Sequence, residues 1–193
     1  MRLADDMAAD LLKRLIAGER DLVPLNLAML LEKSARLDRG DVPQDVEEHY
    51  RRLLLPEIEN LRISRQTREE VVATLCAEIF RNPDDAMISV CAITGDASAV
   101  KTLVRILATP SRVLTLWETA IALSHVTKWL PHYLRKDANF LLKSELEQLA
   151  HIVKELQKME VGERDEDKSA QVTIAHFAPQ LLTSLERIGI EEG

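Results

Sequence analysis

The chain has 193 residues, of which 46% are hydrophobic, 30% charged and 4% aromatic, and its formal net charge is −7. That length suits one domain with a substantial core or an array of helix pairs, and we read 1–193 as a single domain. Abundant Leu, Ala and Glu with few aromatics predict an all-α protein, the acidic balance argues against non-specific nucleic-acid binding, and no apolar run approaches the roughly 20 residues that span a bilayer.

The charge is unevenly spread. Residues 1–60 carry 9 basic and 13 acidic side chains, 61–136 carry 10 and 7, and 137–193 carry 6 and 12, so a middle of +3 lies between flanks of −4 and −6. The start, Met1-Arg2-Leu3-Ala4-Asp5-Asp6, lacks a signal-peptide core, and a cytoplasmic, soluble protein is expected. The two cysteines, Cys76 and Cys91, sit in apolar helical patterns where a reduced thiol acts as a small hydrophobe, and no disulfide is implied.

In chain order, the first helix is predicted over about Ala4 to Ala17, with Met7, Leu11, Leu12 and Leu15 on one face and Gly18 as its stop. Asp21 is the expected cap of a second, with Pro24 in the first turn and Leu27, Leu30 and Leu31 inward. A third starts near Pro43, presents Val46, Tyr50, Leu53 and Leu54, and should kink at Pro56. Ser64 caps a helix through about Arg81 that buries Val72, Leu75, Cys76 and Ile79, and a shorter one follows from Asp84 to Thr94.

A helix over about Ala99–Leu107 comes next, then a Thr109-Pro110-Ser111 turn, then a helix from Ser111 that Pro131 breaks. Leu142, Leu146, Leu149, Val153 and Leu156 mark a long helix over about Asp137–Glu160. The charged stretch 161–168 reads as a loop, and a closing helix interrupted at Pro179 carries Leu181, Leu182, Leu185 and Ile188.

Two segments echo each other. Arg81-Asn82-Pro83-Asp84 stands where Ala108-Thr109-Pro110-Ser111 stands 27 residues later, and Leu75 and Ile79 match Leu103 and Leu107 at an offset of 28. A repeated helix, proline turn and helix is what stacked repeats require, because one pair alone cannot bury its apolar face. Val100, Leu103, Val104 and Leu107, the Pro110 turn, and the ending Thr119-Ala120-Ile121-Ala122-Leu123-Ser124-His125-Val126 resemble a HEAT repeat. The resemblance covers about residues 99–126 and implies a right-handed α-solenoid of antiparallel helix pairs; an irregular helical bundle is the alternative.

Chemistry-bearing patterns are sparse. His125 and His132 are seven apart, but no His-Glu-x-x-His or Cys-x-x-Cys accompanies them, and no metal site or cofactor is expected. No His-Glu dipeptide occurs, which sets the chain apart from the di-iron hydroxylases built on HEAT-like repeats. No glycine-rich phosphate loop is present, and a catalytic cysteine would need a nearby base and an electropositive, exposed setting, whereas Cys76 and Cys91 both sit on apolar faces. No catalytic residue is assigned.

The strongest functional signal is the basic middle. Arg62, Arg65 and Arg68 are three apart at a helix start, Lys101, Arg105 and Arg112 lie on the later unit, and Trp129 and Tyr133 stand beside Pro131. Arg with aromatics is a favoured anchor set at interfaces, and a convergence of these side chains would suit an acidic peptide or segment. Trp117 reads as core. The leading expectation is a non-enzymatic protein–protein interaction module, a scaffold or adaptor, as the HEAT resemblance also implies. The alternatives are a nucleic-acid-binding protein or an enzyme like the HEAT-like DNA glycosylases, and a subunit of a homo-oligomer joined along the Leu142–Leu156 seam.

Overall fold

A computed structural model describes residues 3–39, 63–109, 114–158 and 165–189. The described residues form eight helices and no strand. They are α1 (Leu3–Ile16), α2 (Val23–Arg39), α3 (Arg65–Arg81), α4 (Asp85–Thr94), α5 (Ala97–Leu107), α6 (Leu116–Lys136), α7 (Lys143–Gln157) and α8 (Asp165–Glu186). The helix expected from Pro43, the Pro110-Ser111 turn, Arg62 and Arg112 lie outside the described residues.

Three of the helices start where a local side chain satisfies their free N–H groups. Ser64 Oγ accepts from the Thr67 N–H at 3.2 Å and opens α3. Asp84 Oδ1 accepts from the N–H groups of Ala86 and Met87 at 3.1 and 3.2 Å and opens α4. Thr115 and Glu118 form a capping box at α6: the Glu118 N–H donates to Thr115 Oγ1 at 3.1 Å, and the Thr115 N–H donates to Glu118 Oε2 at 2.7 Å. Gly18 and Gly95 end α1 and α4 with φ of 95° and 63°, the left-handed region where a side chain costs energy.

The helices meet in two rows. The contacts run α1 to α3 to α5 to α7 on one side and α2 to α4 to α6 to α8 on the other. Consecutive helices join the rows from α1 with α2 through α5 with α6, and again at α7 with α8. The apolar stripes read from the sequence fill the space between: Leu11, Leu15, Leu27, Leu31, Leu75, Ile79, Leu103 and Leu123 are all at least nine-tenths buried in one continuous cluster that extends to Leu185. Polar bonds fasten the first helices to the third. Ser34 Oγ donates to the Ile63 carbonyl at 2.9 Å, and the Ser64 N–H donates to Asp5 Oδ1 at 2.7 Å. Arg20, in the turn between α1 and α2, reaches Asp84 at 3.1 Å and the Leu15 carbonyl at 2.6 Å.

Several boundaries differ from the sequence reading. The turn opening α2 starts at Leu22, whose carbonyl accepts from the Asn26 N–H, rather than at an Asp21 cap. α6 begins at Leu116 instead of Ser111 and runs unbroken through Pro131 to Lys136. α8 likewise continues through Pro179, and it already includes residues 165–168, which had read as loop. α7 begins at Lys143, six residues later than expected, because Leu142 N–H donates to Glu145 Oε2 at 2.8 Å and fixes the start there.

Candidate functional site

The basic residues singled out from sequence separate into two places. On α3, Arg65 and Arg68 do not share an outward side. Arg65 is exposed and its Nε donates to Glu69 Oε1 at 2.8 Å. Arg68 continues the buried stripe of Val72 and Leu75, is only 7% exposed, and its Nε lies 3.5 Å from Asp96 Oδ2 at the start of α5. A guanidinium used this way holds α3 to α5.

On α5 the other two come together with Tyr133. Lys101 Nζ sits 4.7 Å from the centre of the Phe140 ring, and Phe140 stacks on Tyr133 with ring centres 4.7 Å apart and planes 10° from parallel. One turn further along α5, Arg105 Nε donates to Glu145 Oε1 at 2.7 Å. Burial of Glu145 works against its ionisation, but the Leu142 N–H, Arg105 and Lys101 outweigh it and hold this carboxyl below its ordinary range. Lys101, Arg105, Tyr133, Phe140 and Glu145 therefore form one patch where α5, α6 and the start of α7 meet.

Tyr133 of this patch and Trp129, one turn before it on α6, both meet the turn between α4 and α5. The Tyr133 hydroxyl donates to the Gly95 carbonyl at 2.7 Å. The Trp129 indole lies directly over Gly95, with Cζ2 2.6 Å from where a Cβ would be. Both aromatic residues are half-buried, whereas Trp117, expected in the core, is 44% exposed. The phase of α6 explains it. Ala120, Leu123, Val126, Leu130 and Leu134 set the buried side, and Trp117 falls opposite, in register with Lys128 and Arg135 at whole-turn spacing.

The positive charge is concentrated on a shorter span than thirds of the chain reveal. Between Ala97 and Lys136 there are six basic residues, Lys101, Arg105, Arg112, Lys128, Arg135 and Lys136, and a single acidic one, Glu118. This span therefore carries +5, and the remainder of a chain of −7 carries −12. Glu118 is buried in its capping box, so α5 and α6 present no acidic side chain of their own to solvent.

The histidines lie as follows. His125 is half-buried, its Nδ1 has no hydrogen-bond partner among the described residues, and burial, helped by Lys128, pushes its pKa down to about 4. His132 packs edge-on to Tyr133. Among the described residues no group of His, Cys, Asp and Glu side chains is placed to hold a metal ion, and no helix is long and apolar enough to cross a membrane. The seam on α7 is used within the chain: Leu146, Leu149 and Val153 are buried, and Leu142 is left 66% exposed. No family model, curated protein or solved structure matches the sequence or the fold.

Proposed function

We propose that this protein is a non-enzymatic interaction module, a scaffold or adaptor, that binds an acidic segment of a protein partner across α5 and the C-terminal half of α6. The observation that carries this reading is the charge of that pair of helices, which holds Lys101, Arg105, Lys128, Arg135 and Lys136 against Glu118 alone, +4 on a chain whose remainder is −11. Opposite charge steers a partner to such a face and fixes its register there. Lys101 over the Tyr133–Phe140 stack gives the face an ordered cationic and aromatic centre, the kind of anchor on which interfaces concentrate their energy.

The two rows of helices support a HEAT-like α-solenoid as the architecture behind it. A stack in which each pair touches its neighbours buries one side of every helix and leaves long flanks open. Such a flank recognises extended segments without the enclosed pocket that catalysis needs. Fold alone does not assign a function, and the charge distribution does the further work.

The test is capture of partners from source cells by the wild-type chain and by a triple variant, Lys101→Glu, Arg135→Glu and Lys136→Glu. The reading expects a partner rich in Asp and Glu, binding that weakens as salt is raised, and loss of at least about tenfold in affinity for the variant. A partner retained equally by the variant overturns the assigned face. Duplex DNA bound in a salt-dependent gel shift, or turnover in a substrate screen with no partner recovered, overturns the reading in favour of the nucleic-acid or enzymatic one. A dimer in light scattering that the variant abolishes would identify the acidic flank of a second copy as the partner.

A further inference from the structure

Cys76 on α3 and Cys91 on α4 are the only cysteines in the chain, and the fold brings their sulfurs to 3.7 Å. Both are free thiols. The two are not equivalent. Cys91 is fully enclosed between α3, α4 and the rest of the core, while Cys76 retains 8% exposure and lies toward Thr102 of α5. Packing needs only a small apolar group at each position, and Ala would serve. Two sulfurs 3.7 Å apart across a helix pair need, in addition, an approach of less than about 2 Å to reach the length of a disulfide bond. α3 and α4 are joined only by Asn82, Pro83 and Asp84, so this bond would close a short loop between adjacent helices.

We propose that Cys76 and Cys91 form a redox site in which a small, uncharged oxidant of the peroxide class converts the two thiols to an intramolecular disulfide, Cys76 attacking first and Cys91 resolving. The chemistry balances in two steps. Cys76 gives up its proton and its sulfur attacks one peroxide oxygen; an S–O bond forms, the O–O bond breaks, and the departing hydroxide takes the proton to become water. Cys91 then gives up its proton and attacks the sulfenic sulfur of Cys76; an S–S bond forms, the S–O bond breaks, and the second hydroxide leaves as water. Two thiols lose two electrons and two protons, and one peroxide becomes two waters.

The electrostatics agree with that order of attack. The hydrogen bond from Cys91, and then that from Thr102, lowers the Cys76 thiol below its ordinary value despite burial. The same sharing, reinforced by complete burial, raises Cys91.

The experiment is intact-mass analysis and thiol alkylation of the full chain after treatment with hydrogen peroxide. The expected result is loss of both alkylatable thiols, a mass about 2 Da lower, a monomer on a non-reducing gel, and complete reversal by dithiothreitol. Cys91→Ala should stop at a sulfenic acid on Cys76, about 16 Da heavier and captured by dimedone, while Cys76→Ala should oxidise at Cys91 at least about tenfold more slowly. Two thiols surviving peroxide that oxidises the urea-unfolded chain would overturn the proposal. So would a disulfide-linked dimer, or a sulfinic acid formed in the wild type without a disulfide. If the variants do not fold, the wild-type mass and thiol count decide the matter alone.

Discussion

Trp129 rests on Gly95 so closely that the turn between α4 and α5 has no room for a side chain. A Cβ there would lie 2.6 Å from Trp129 Cζ2 and 2.8 Å from Cδ2, and the backbone has the left-handed φ of 63°. Two penalties therefore fall on one substitution. Gly95→Ala should destabilise the fold by about 2–4 kcal/mol, roughly 1 of it from backbone strain and the rest from displacement of the indole. In a Trp129→Ala background the same change should cost only the backbone part, about 1 kcal/mol. Urea unfolding of the four proteins of this cycle measures the difference, and equal costs in both backgrounds would show that the indole does not constrain the turn.

The pair Arg68 and Asp96 should behave differently from the exposed pair Arg65 and Glu69. Removal of one partner of a buried pair strands the other charge in the core. Asp96→Ala is expected to cost about 2–4 kcal/mol, with little change between low and high salt, because Arg68 is almost wholly enclosed. Glu69→Ala should cost less than about 0.5 kcal/mol, since both members of that pair are in solvent. Comparable losses in the two variants would contradict the burial assigned to Arg68.

His125 makes the protein sensitive to acid. Burial lowers its pKa to about 4 in the folded chain, against about 6.5 when unfolded. Between these values the unfolded state binds the proton and the folded state does not, so stability is full above pH about 6.5 and falls as pH drops toward about 4. The full shift corresponds to up to about 3 kcal/mol. His125→Phe should remove this part of the pH dependence and, by deleting a buried Nδ1 that has no partner among the described residues, leave stability at pH 7 unchanged or slightly higher. Unfolding free energy measured from pH 4 to 7 tests it, and parallel curves for the two proteins would refute it.

The sequence made the caps and stripes legible because they are local. Ser64 and the Asp84 turn sit where their side chains reach N–H groups two and three residues on, and Leu27, Leu75, Ile79 and Leu103 recur at helical spacing. The prolines misled because their effect is decided by partners far along the chain. Pro131 costs α6 roughly 3 kcal/mol, yet Leu130 and Leu134 on either side are buried and contribute about 1.5–3 kcal/mol each. Pro179 is held in the same way between Ala178 and Leu181. Packing outweighs propensity at both.

The candidate surface was legible in part. Lys101, Arg105 and Tyr133 do meet, but through Phe140 and Glu145, two residues whose role depends on the register of α5 against α7. Arg68 was misplaced because spacing of three puts residues on neighbouring, not identical, directions of a helix. Arg65 looks outward while Arg68 joins the stripe of Val72 and Leu75.

The three residues Thr94, Gly95 and Asp96 serve both neighbours at once. The Thr94 hydroxyl donates to the Cys91 carbonyl at 2.9 Å and receives the Asp96 N–H at 3.2 Å, the Gly95 carbonyl receives Tyr133, and the Asp96 carboxylate faces Arg68. This joint works like a pivot pin shared by two levers. Tyr133 of α6, Arg68 of α3 and the end of the helix of Cys91 are thus all fastened to one short strip of backbone, so no one of the three can shift without straining the seat of the other two.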